Sequence, residues 1–155
     1  MEMHGEVEVA GSADCLWEVI GTRFAHVHEW VEAIERSSLD QKQPCAGATR
    51  TCEVRGFGPI TAATIRERLL TFDASQRTLS YEVIAGLPWF IRRAVNRWAI
   101  VARGPERCVV QTHSSVDLRF PASIFTPLIR ARFQRDSAAV LSTLRKRAEE
   151  ARRSR

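Results

Sequence analysis

Glu67 is the side chain with the clearest chemical consequence in this sequence, because it interrupts an apolar row. Alternate side chains of a strand share a face, so Glu67 shares one with Ile65 and Leu69. A buried carboxylate without a partner is costly, so a ligand, a water molecule or a basic side chain must meet it. Two interpretations are open: Glu67 contacts a ligand, or it pairs with a neighbouring arginine and only satisfies the core.

Two further residues are candidates for acid–base chemistry. Tyr81 lies on the next predicted strand and would bring a hydroxyl to the same face, although such a residue is more often a core aromatic. His26 and His28 belong to a predicted short helix, where residues two apart do not share a face, so we expect no shared metal ion. We expect His26 to face the interior as an acid or base. The predicted catalytic residues are Glu67, Tyr81 and His26, with no metal and no cofactor.

The strands around Glu67 supply a face that mixes apolar with small polar side chains. A fully packed core would fill this face at crystal-like density, whereas Thr112 and Ser114 are small and polar. Apolar walls with a few polar groups are typical of small-molecule sites. The predicted ligand-binding residues on the strands and the last helix are Ile65, Leu69, Val83, Trp98, Ile100, Val110, Thr112, Ser114, Val116, Phe133 and Asp136.

The segment Gly86-Leu-Pro-Trp-Phe90 carries three large apolar side chains between two predicted strands. We include Pro88 and Trp89 among the ligand-binding candidates. One interpretation packs this loop on the long helix. The other makes it a lid that opens for a ligand or touches a membrane or a partner. Both stay open at this point.

The elements that position these residues follow from periodicity. Period-two alternation predicts strands at 5–10, 34–42, 48–55, 60–72, 79–85, 96–103 and 108–120, with turns at 44–47, 56–59, 73–77 and 104–107. Ser12 is the predicted N-cap of a short helix that ends at Gly21, and a second short helix runs from Phe24 to Trp30. Pro121 opens a long helix with an apolar stripe formed by Phe125, Ile129, Phe133, Val140 and Leu144.

Composition limits the class of protein. A chain of 155 residues with 45% apolar and 26% charged content predicts one ordered globular domain, 1–155. No apolar run approaches the ~18 residues of a membrane span, and the N-terminus lacks the pattern of a secretory signal. The four cysteines show neither zinc-site nor disulfide-framework spacing. We therefore expect reduced thiols and a cytoplasmic protein.

The net charge of +5 is concentrated at one end of the chain. Residues 121–155 contain nine basic and three acidic side chains, and the basic run 145–155 falls on the end of the predicted helix and its tail. Cations are favoured near a helix C-terminus, and no aromatic-rich strand accompanies them to stack bases. We expect a solvated terminus and no nucleic acid partner.

Two stretches of the sequence have counterparts in a known superfamily. They are Val9-Ala-Gly-Ser12-Ala-Asp14-Cys-Leu-Trp17-Glu-Val-Ile20 and Ile65-Arg-Glu67-Arg-Leu69-Leu-Thr-Phe-Asp73, the second followed by Arg77, Leu79, Tyr81 and Gly86. From about Gly5 to Glu150 the chain resembles the polyketide cyclase/dehydrase and START-like (Bet v 1-like, SRPBCC) superfamily. The resemblance implies an α+β helix-grip fold. In that fold a curved antiparallel seven-stranded sheet wraps around a long C-terminal helix, with two short helices after strand 1 and an apolar cavity between sheet and helix. In plant hormone receptors of this superfamily the similar carboxylate contacts the ligand through water.

Two main classes of function follow from this resemblance and from the residues. One is an enzyme resembling polyketide cyclases and dehydratases, in which a folded substrate lowers the entropic cost of ring closure and Glu67 with Tyr81 or His26 moves protons. The other is a carrier or sensor that binds a lipid, a quinone or a related apolar metabolite unchanged. A third, weaker alternative is an interaction protein that uses the basic helix end and the 86–90 loop. The expected partner is a small hydrophobic ligand, and both a monomer and a homodimer fit the sequence.

Overall fold

The computed structural model describes residues 1–56 and 62–153 of the chain. Its strands are β1 Glu2–Val9, β2 Ile34–Leu39, β3 Thr49–Val54, β4 Ala63–Asp73, β5 Thr78–Ala85, β6 Ile91–Ala102 and β7 Cys108–Leu118. Its helices are α1 Ala13–Trp17, a π-helical turn Glu18–Thr22, 3-10 helices at Phe24–Glu29 and Ala122–Phe125, and α2 Thr126–Arg153. All but the first residue of the predicted turn at 56–59, and the predicted strand start at Ile60, lie outside the described residues.

The strands of the described residues form one antiparallel sheet in the order β1-β7-β6-β5-β4-β3-β2. Strands that follow one another from β2 to β7 are neighbours in the sheet, and β1 closes the other edge by pairing with β7. Short helical segments follow β1, and the long helix α2 ends the described chain. This arrangement confirms the predicted α+β, helix-grip fold class.

The strand β6 starts earlier than the sequence predicts, at Ile91 instead of position 96. Ile91 pairs with Leu118 of β7, and the register shifts between Ile91 and Arg93. Such a shift breaks period-two alternation, which is why the pattern alone missed these residues. The extension matters because Ile91 and Ala94 are buried and line the ligand-sized cavity described below.

The long helix also starts later than predicted. A 3-10 helix at Ala122–Phe125 precedes α2, and Pro127 occupies the first turn of α2, where its missing N–H leaves no helical bond unmade. Phe125, predicted to belong to the apolar stripe, is 58% exposed. The buried anchors of α2 are Leu141 and Leu144 in its second half.

A packed core fills one end of the space between the sheet and α2. The Ser12 hydroxyl accepts a hydrogen bond from the Cys15 amide at 3.2 Å, which caps α1 as predicted. The largest fully buried side chains of this core are Val9, Cys52, Leu69, Leu79, Cys108, Val110 and Leu144. The cavity described below lies towards the other end of the strands, where Ile65, Val83 and Val116 line it.

Candidate functional site

A cavity of about 440 Å³ lies between the sheet, the first 3-10 helix and α2. This volume falls within the range of about 300–1,000 Å³ that is usual for small-molecule sites. Most of the wall is apolar, with Ile20, Phe24, Val27, Ile65, Val83, Trp98 and Phe133 among the lining residues. The polar or charged side chains of the wall are Arg50, Glu67, Tyr81, Asn96, Thr112, Ser114, Asp136 and Ser137.

An arginine of β3 meets the carboxylate of β4 in this wall. Arg50 stands directly opposite Glu67 in the antiparallel register. Its Nε and Nη2 atoms lie 2.7 and 2.6 Å from the same Glu67 oxygen, Oε2. Its Nη1 donates to the carbonyl oxygen of Phe24 at 2.8 Å. The guanidinium carbon also lies 3.7 Å from the centre of the Phe24 ring, so the cation is held on several sides.

The charge of Arg50 persists although the side chain is only 4% exposed. Burial, the largest single cause, would lower the pKa of the guanidinium, but the Glu67 carboxylate together with Tyr81 and Cys52 outweighs it and raises that pKa above its ordinary value. Arg50 therefore stays a cation at every physiological pH. It holds Glu67 in place and does not exchange protons with a ligand.

The second oxygen of Glu67 is available to the cavity. Both Arg50 contacts use Oε2, and Cys52 Sγ donates to the same oxygen at 3.7 Å. Within the described residues no hydrogen bond reaches Oε1, and the only sealed side-chain polar atom lacking a partner belongs to Trp30. Because Glu67 lines the cavity, Oε1 can accept a hydrogen bond from a ligand or water. The two interpretations of Glu67 thus coexist: it pairs with an arginine and it faces the cavity.

Tyr81 and Cys52, which lie beside this pair, are both held protonated. Burial, and after it the Glu67 carboxylate, raises the pKa of the Tyr81 phenol well above its usual range. Burial is also the largest cause of the shift that raises the pKa of the Cys52 thiol to about 12. Tyr81 can therefore donate a hydrogen bond to a ligand, whereas Cys52 is not a thiolate nucleophile.

The structure brings most of the predicted site residues into one wall. Those that line the cavity are Ile65, Glu67, Tyr81, Val83, Pro88, Trp98, Thr112, Ser114, Val116, Phe133 and Asp136. Leu69, Ile100 and Val110 do not: they lie at the filled end of their strands and belong to the packed core. They share the inward face with the lining residues, and only their position along the strand separates the two groups.

His26 lies outside the cavity wall, which corrects its predicted position. Its side chain is exposed, and the backbone at His26 departs from helical values (φ −104°, ψ 29°). Phe24 and Val27 take the inward positions of this 3-10 helix instead. The other histidine of the pair, His28, lies 2.7 Å from the Ser37 hydroxyl through Nδ1.

The 86–90 loop lies partly in the cavity wall and partly in solvent. Leu87 and Pro88 line the cavity, and Phe90 packs against a small buried cluster around Ile91. Trp89, however, is 73% exposed and does not line the cavity. Gly86 starts the loop with φ +86°, and a Cβ there would come within 2.2 Å of the Thr64 carbonyl oxygen. Only glycine fits that position.

Arg50 and Asn96 are the lining residues of functional interest that sequence reasoning missed. Asn96 Oδ1 accepts a hydrogen bond from the Ser114 hydroxyl at 2.6 Å, so both are oriented within the wall. Arg50 could have been found by pairing the two strands on either side of the predicted turn at 56–59. Arg50 and Glu67 are nearly equally far from that turn along the chain, so an antiparallel pairing of the two strands places them close to each other.

Other classes of site find no support in the described part of the chain. No group of three or more His, Cys, Asp or Glu side chains there is arranged to hold a metal ion. None of the described helices is both long enough and apolar enough to cross a membrane.

Comparison with known sequences gives one match and one negative result. Residues 1–149 match the model of a family described as "Polyketide cyclase / dehydrase and lipid transport". No curated protein matches the sequence.

Several solved structures share the fold. The ZhuI aromatase/cyclase from Streptomyces sp. R1128 is 20% identical with a TM-score of 0.77, covering 100% of this chain and 96% of its own. A START superfamily protein from Mycobacterium smegmatis is 15% identical with a TM-score of 0.75, covering 97% and 98%. Norcoclaurine synthase from Thalictrum flavum, in complex with dopamine and hydroxybenzaldehyde, is 22% identical with a TM-score of 0.69, covering 93% and 85%. At these identities the likeness concerns the fold alone.

Proposed function

The chain belongs to the polyketide cyclase/dehydrase and lipid transport family, and from this premise we propose that its cavity binds a small apolar or aromatic molecule that carries carbonyl or hydroxyl oxygens. The observation that carries the proposal is the cluster of Arg50, Glu67 and Tyr81, set into a mainly apolar wall. Such a cluster orients a ligand by its polar end, while the apolar walls take up the rest of its surface.

The cluster offers a proton acceptor and a hydrogen-bond donor to the same ligand. Glu67 Oε1 faces the cavity without a protein partner among the described residues, and Tyr81 keeps its phenolic proton. A carbonyl oxygen placed at Tyr81 would be polarised while Glu67 accepts a proton from the neighbouring carbon. Aldol ring closure and loss of water from a polyketide chain both begin with this removal of a proton next to a polarised carbonyl group. Arg50 acts as a positioning residue for Glu67, and His26 has no role in this scheme because its side chain is outside the wall.

The similar structures agree with this class of ligand. ZhuI is an aromatase/cyclase, and norcoclaurine synthase holds two aromatic molecules, dopamine and hydroxybenzaldehyde. These proteins share only the fold with the present chain, so the ligand class rests on the cavity itself: its volume, its apolar wall and the Arg50–Glu67–Tyr81 cluster.

A carrier function is the second candidate, and the apolar character of the wall favours it. The name of the family includes lipid transport. A lipid or quinone oxygen could accept a hydrogen bond from Tyr81 while its tail occupies the apolar part of the cavity. In that case the same residues hold the ligand without transforming it.

Binding of 1,8-dihydroxyanthraquinone, an aromatic probe with carbonyl and hydroxyl oxygens, tests the proposal. We expect Tyr81→Phe and Glu67→Gln each to raise the dissociation constant about tenfold, since each removes one hydrogen bond to the probe. Glu53→Gln is the matched control, because Glu53 is exposed and pairs with Arg36 at 3.0 Å. Tryptophan fluorescence gives the affinity. A probe that fails to bind, or binds both site variants as tightly as the parent, would contradict the proposal.

The enzyme and the carrier differ in what happens to the ligand. We expect native mass spectrometry of the purified protein to show a bound hydrophobic molecule in either case. Incubation with a linear poly-β-ketone thioester analogue should yield a product that has lost water if the protein is a cyclase/dehydratase, and Glu67→Gln should abolish that product. An unchanged analogue that stays bound supports the carrier.

A further inference from the structure

Large apolar side chains are exposed together at one end of the molecule. We call this group the apolar rim: Trp89, Phe120, Ile124, Phe125 and Leu128, which are 73%, 81%, 66%, 58% and 73% exposed. Among the described residues Leu70, at 38%, is the one other large hydrophobic side chain in the exposed class. Soluble monomers rarely expose so large an apolar group, and such surfaces usually mark an interaction site.

Hydrogen bonds of the backbone hold the two segments of the rim side by side. The Arg119 amide donates to the Phe90 carbonyl oxygen at 2.8 Å, so Trp89 and Phe120 each lie one residue from that bond. The Ser123 amide donates to the Arg119 carbonyl oxygen at 3.2 Å, which folds the following residues back as a turn. Phe125 and Leu128 then follow on the 3-10 helix and the first turn of α2.

The rim adjoins the end of the cavity that the 86–90 loop covers. Leu87 and Pro88 precede Trp89 and line the cavity, and Phe133, which lines it from α2, follows Leu128 by less than two helical turns. Leu87, Phe90 and Phe133 pack against the same small buried cluster. A surface that covers the rim therefore also covers this end of the cavity.

The charge around the rim is predominantly positive. Segments 86–93 and 118–135 contain six arginines and no acidic residue: Arg92, Arg93, Arg119, Arg130, Arg132 and Arg135. Arg93 pairs with Glu82 at 3.5 Å and Arg132 with Asp136 at 3.2 Å. The other four are exposed, and no ion pair engages them within the described residues. Two copies of this surface would repel each other, which disfavours a dimer formed through the rim.

We propose that the apolar rim docks on an anionic phospholipid bilayer, so that the covered end of the cavity faces the membrane. Trp, Phe, Ile and Leu enter the boundary between headgroups and acyl chains, and arginines beside them attract anionic lipid. The rim presents projecting side chains from a 3-10 helix and a loop, which suits a soft bilayer surface. The inference does not depend on what the cavity binds, and its test uses no cavity ligand.

Sedimentation with vesicles of phosphatidylcholine containing 30% phosphatidylglycerol tests this inference on the full chain. We expect the parent to bind these vesicles and to bind pure phosphatidylcholine at least tenfold more weakly. Phe120→Ser/Leu128→Ser should bind the anionic vesicles at least tenfold more weakly than the parent. Leu70→Ser is the matched control, because Leu70 lies on β4 near the 73–77 turn, at the end of that strand far from the 86–90 loop. Circular dichroism checks that each variant is folded.

Depth of insertion gives an independent readout. Brominated lipids should quench the fluorescence of the parent, and Trp89→Phe should remove most of that quenching while leaving sedimentation within a few fold. Failure of the folded parent to bind anionic vesicles overturns the inference, as does equal binding by Phe120→Ser/Leu128→Ser. It is also overturned if light scattering finds a parent dimer that this double variant abolishes, because the rim would then be a protein interface.

Discussion

The buried Arg50–Glu67 pair allows the most demanding test, because removing one partner leaves a buried charge unpaired. The two side chains are 5% and 13% exposed, so bulk solvent compensates poorly for the lost partner. Among the described residues, Glu67→Leu leaves the Arg50 cation with the Phe24 carbonyl oxygen as its one remaining hydrogen-bond acceptor. Breaking a buried pair in this way costs about 3–5 kcal/mol in the free energy of unfolding, a large fraction of the total for one domain.

Two further variants separate charge from shape. Glu67→Gln keeps an oxygen acceptor opposite Arg50 and loses only the charge. We therefore expect it to lower the free energy of unfolding by about 1.5–3 kcal/mol, the range for an interaction with a charged group. The double variant Arg50→Met/Glu67→Leu replaces the pair by apolar side chains of similar size. It should lie within about 1 kcal/mol of the parent, because it leaves no buried charge unpaired.

Urea unfolding measures these differences in free energy. The slope of the unfolding free energy against urea concentration should be the same for all variants, which checks that each unfolds in the same transition. The pair Arg36–Glu53 is the control, since it joins β2 to β3 at 3.0 Å but is 80% and 48% exposed. Glu53→Leu should cost less than about 1 kcal/mol. The reasoning is refuted if Glu67→Leu costs no more than Glu53→Leu, or if the double variant is as unstable as the sum of its single variants.

Three other properties follow from the structure. Burial raises the pKa of Cys52 to about 12, so the folded chain keeps a proton that the unfolded chain loses above about pH 9. The free energy of unfolding therefore falls as the pH rises from about 9 to about 12. Cys52→Ala should show a smaller fall, and curves of unfolding free energy against pH that run parallel for parent and variant would contradict this. Gly86→Ala should cost about 2–4 kcal/mol by thermal unfolding, because it adds a backbone clash to a positive φ. Gly47→Ala, at φ +89° with no atom near its Cβ, should cost only about 1 kcal/mol; equal losses would mean that the clash at Gly86 is relieved. Leu144→Ala should cost about 2–5 kcal/mol and Leu128→Ala less than about 0.5 kcal/mol, since only the first is buried; similar losses would mean that the first half of α2 is packed.

Periodicity predicted strands well where inward and outward side chains alternate without interruption, and helices well where a capping residue marks the start. The β7 strand alternates cleanly, and its predicted start at Cys108 is the observed one. The same approach lost the first five residues of β6, because a register shift near Arg93 breaks the alternation. It also placed Phe125 on the buried stripe of α2, since a 3-10 helix and an α-helix look alike in sequence over a single turn.

The sequence predicted the position of a site residue correctly where that position depends only on the strand that carries the residue. Ile65 and Glu67 share a face because side chains alternate along any strand, whatever lies around them. His26 was placed wrongly because the winding of a short helix depends on what packs against it, here Phe24 and Val27. The partner of Glu67 was left open between a ligand and an arginine, because the pairing of β3 with β4 relates residues 17 apart in sequence.

The sequence by itself determined which side chains face inward and that an acidic one interrupts them, since both follow from the geometry of a single strand. Only the tertiary structure decided where along that face the core ends and the cavity begins. Leu69 is sealed and Ile65 lines the cavity, although both lie on β4 two positions from Glu67. The difference arises because packed side chains fill the space between the sheet and the helical segments at one end of the strands and leave it open at the other. Residues distant in sequence supply those side chains.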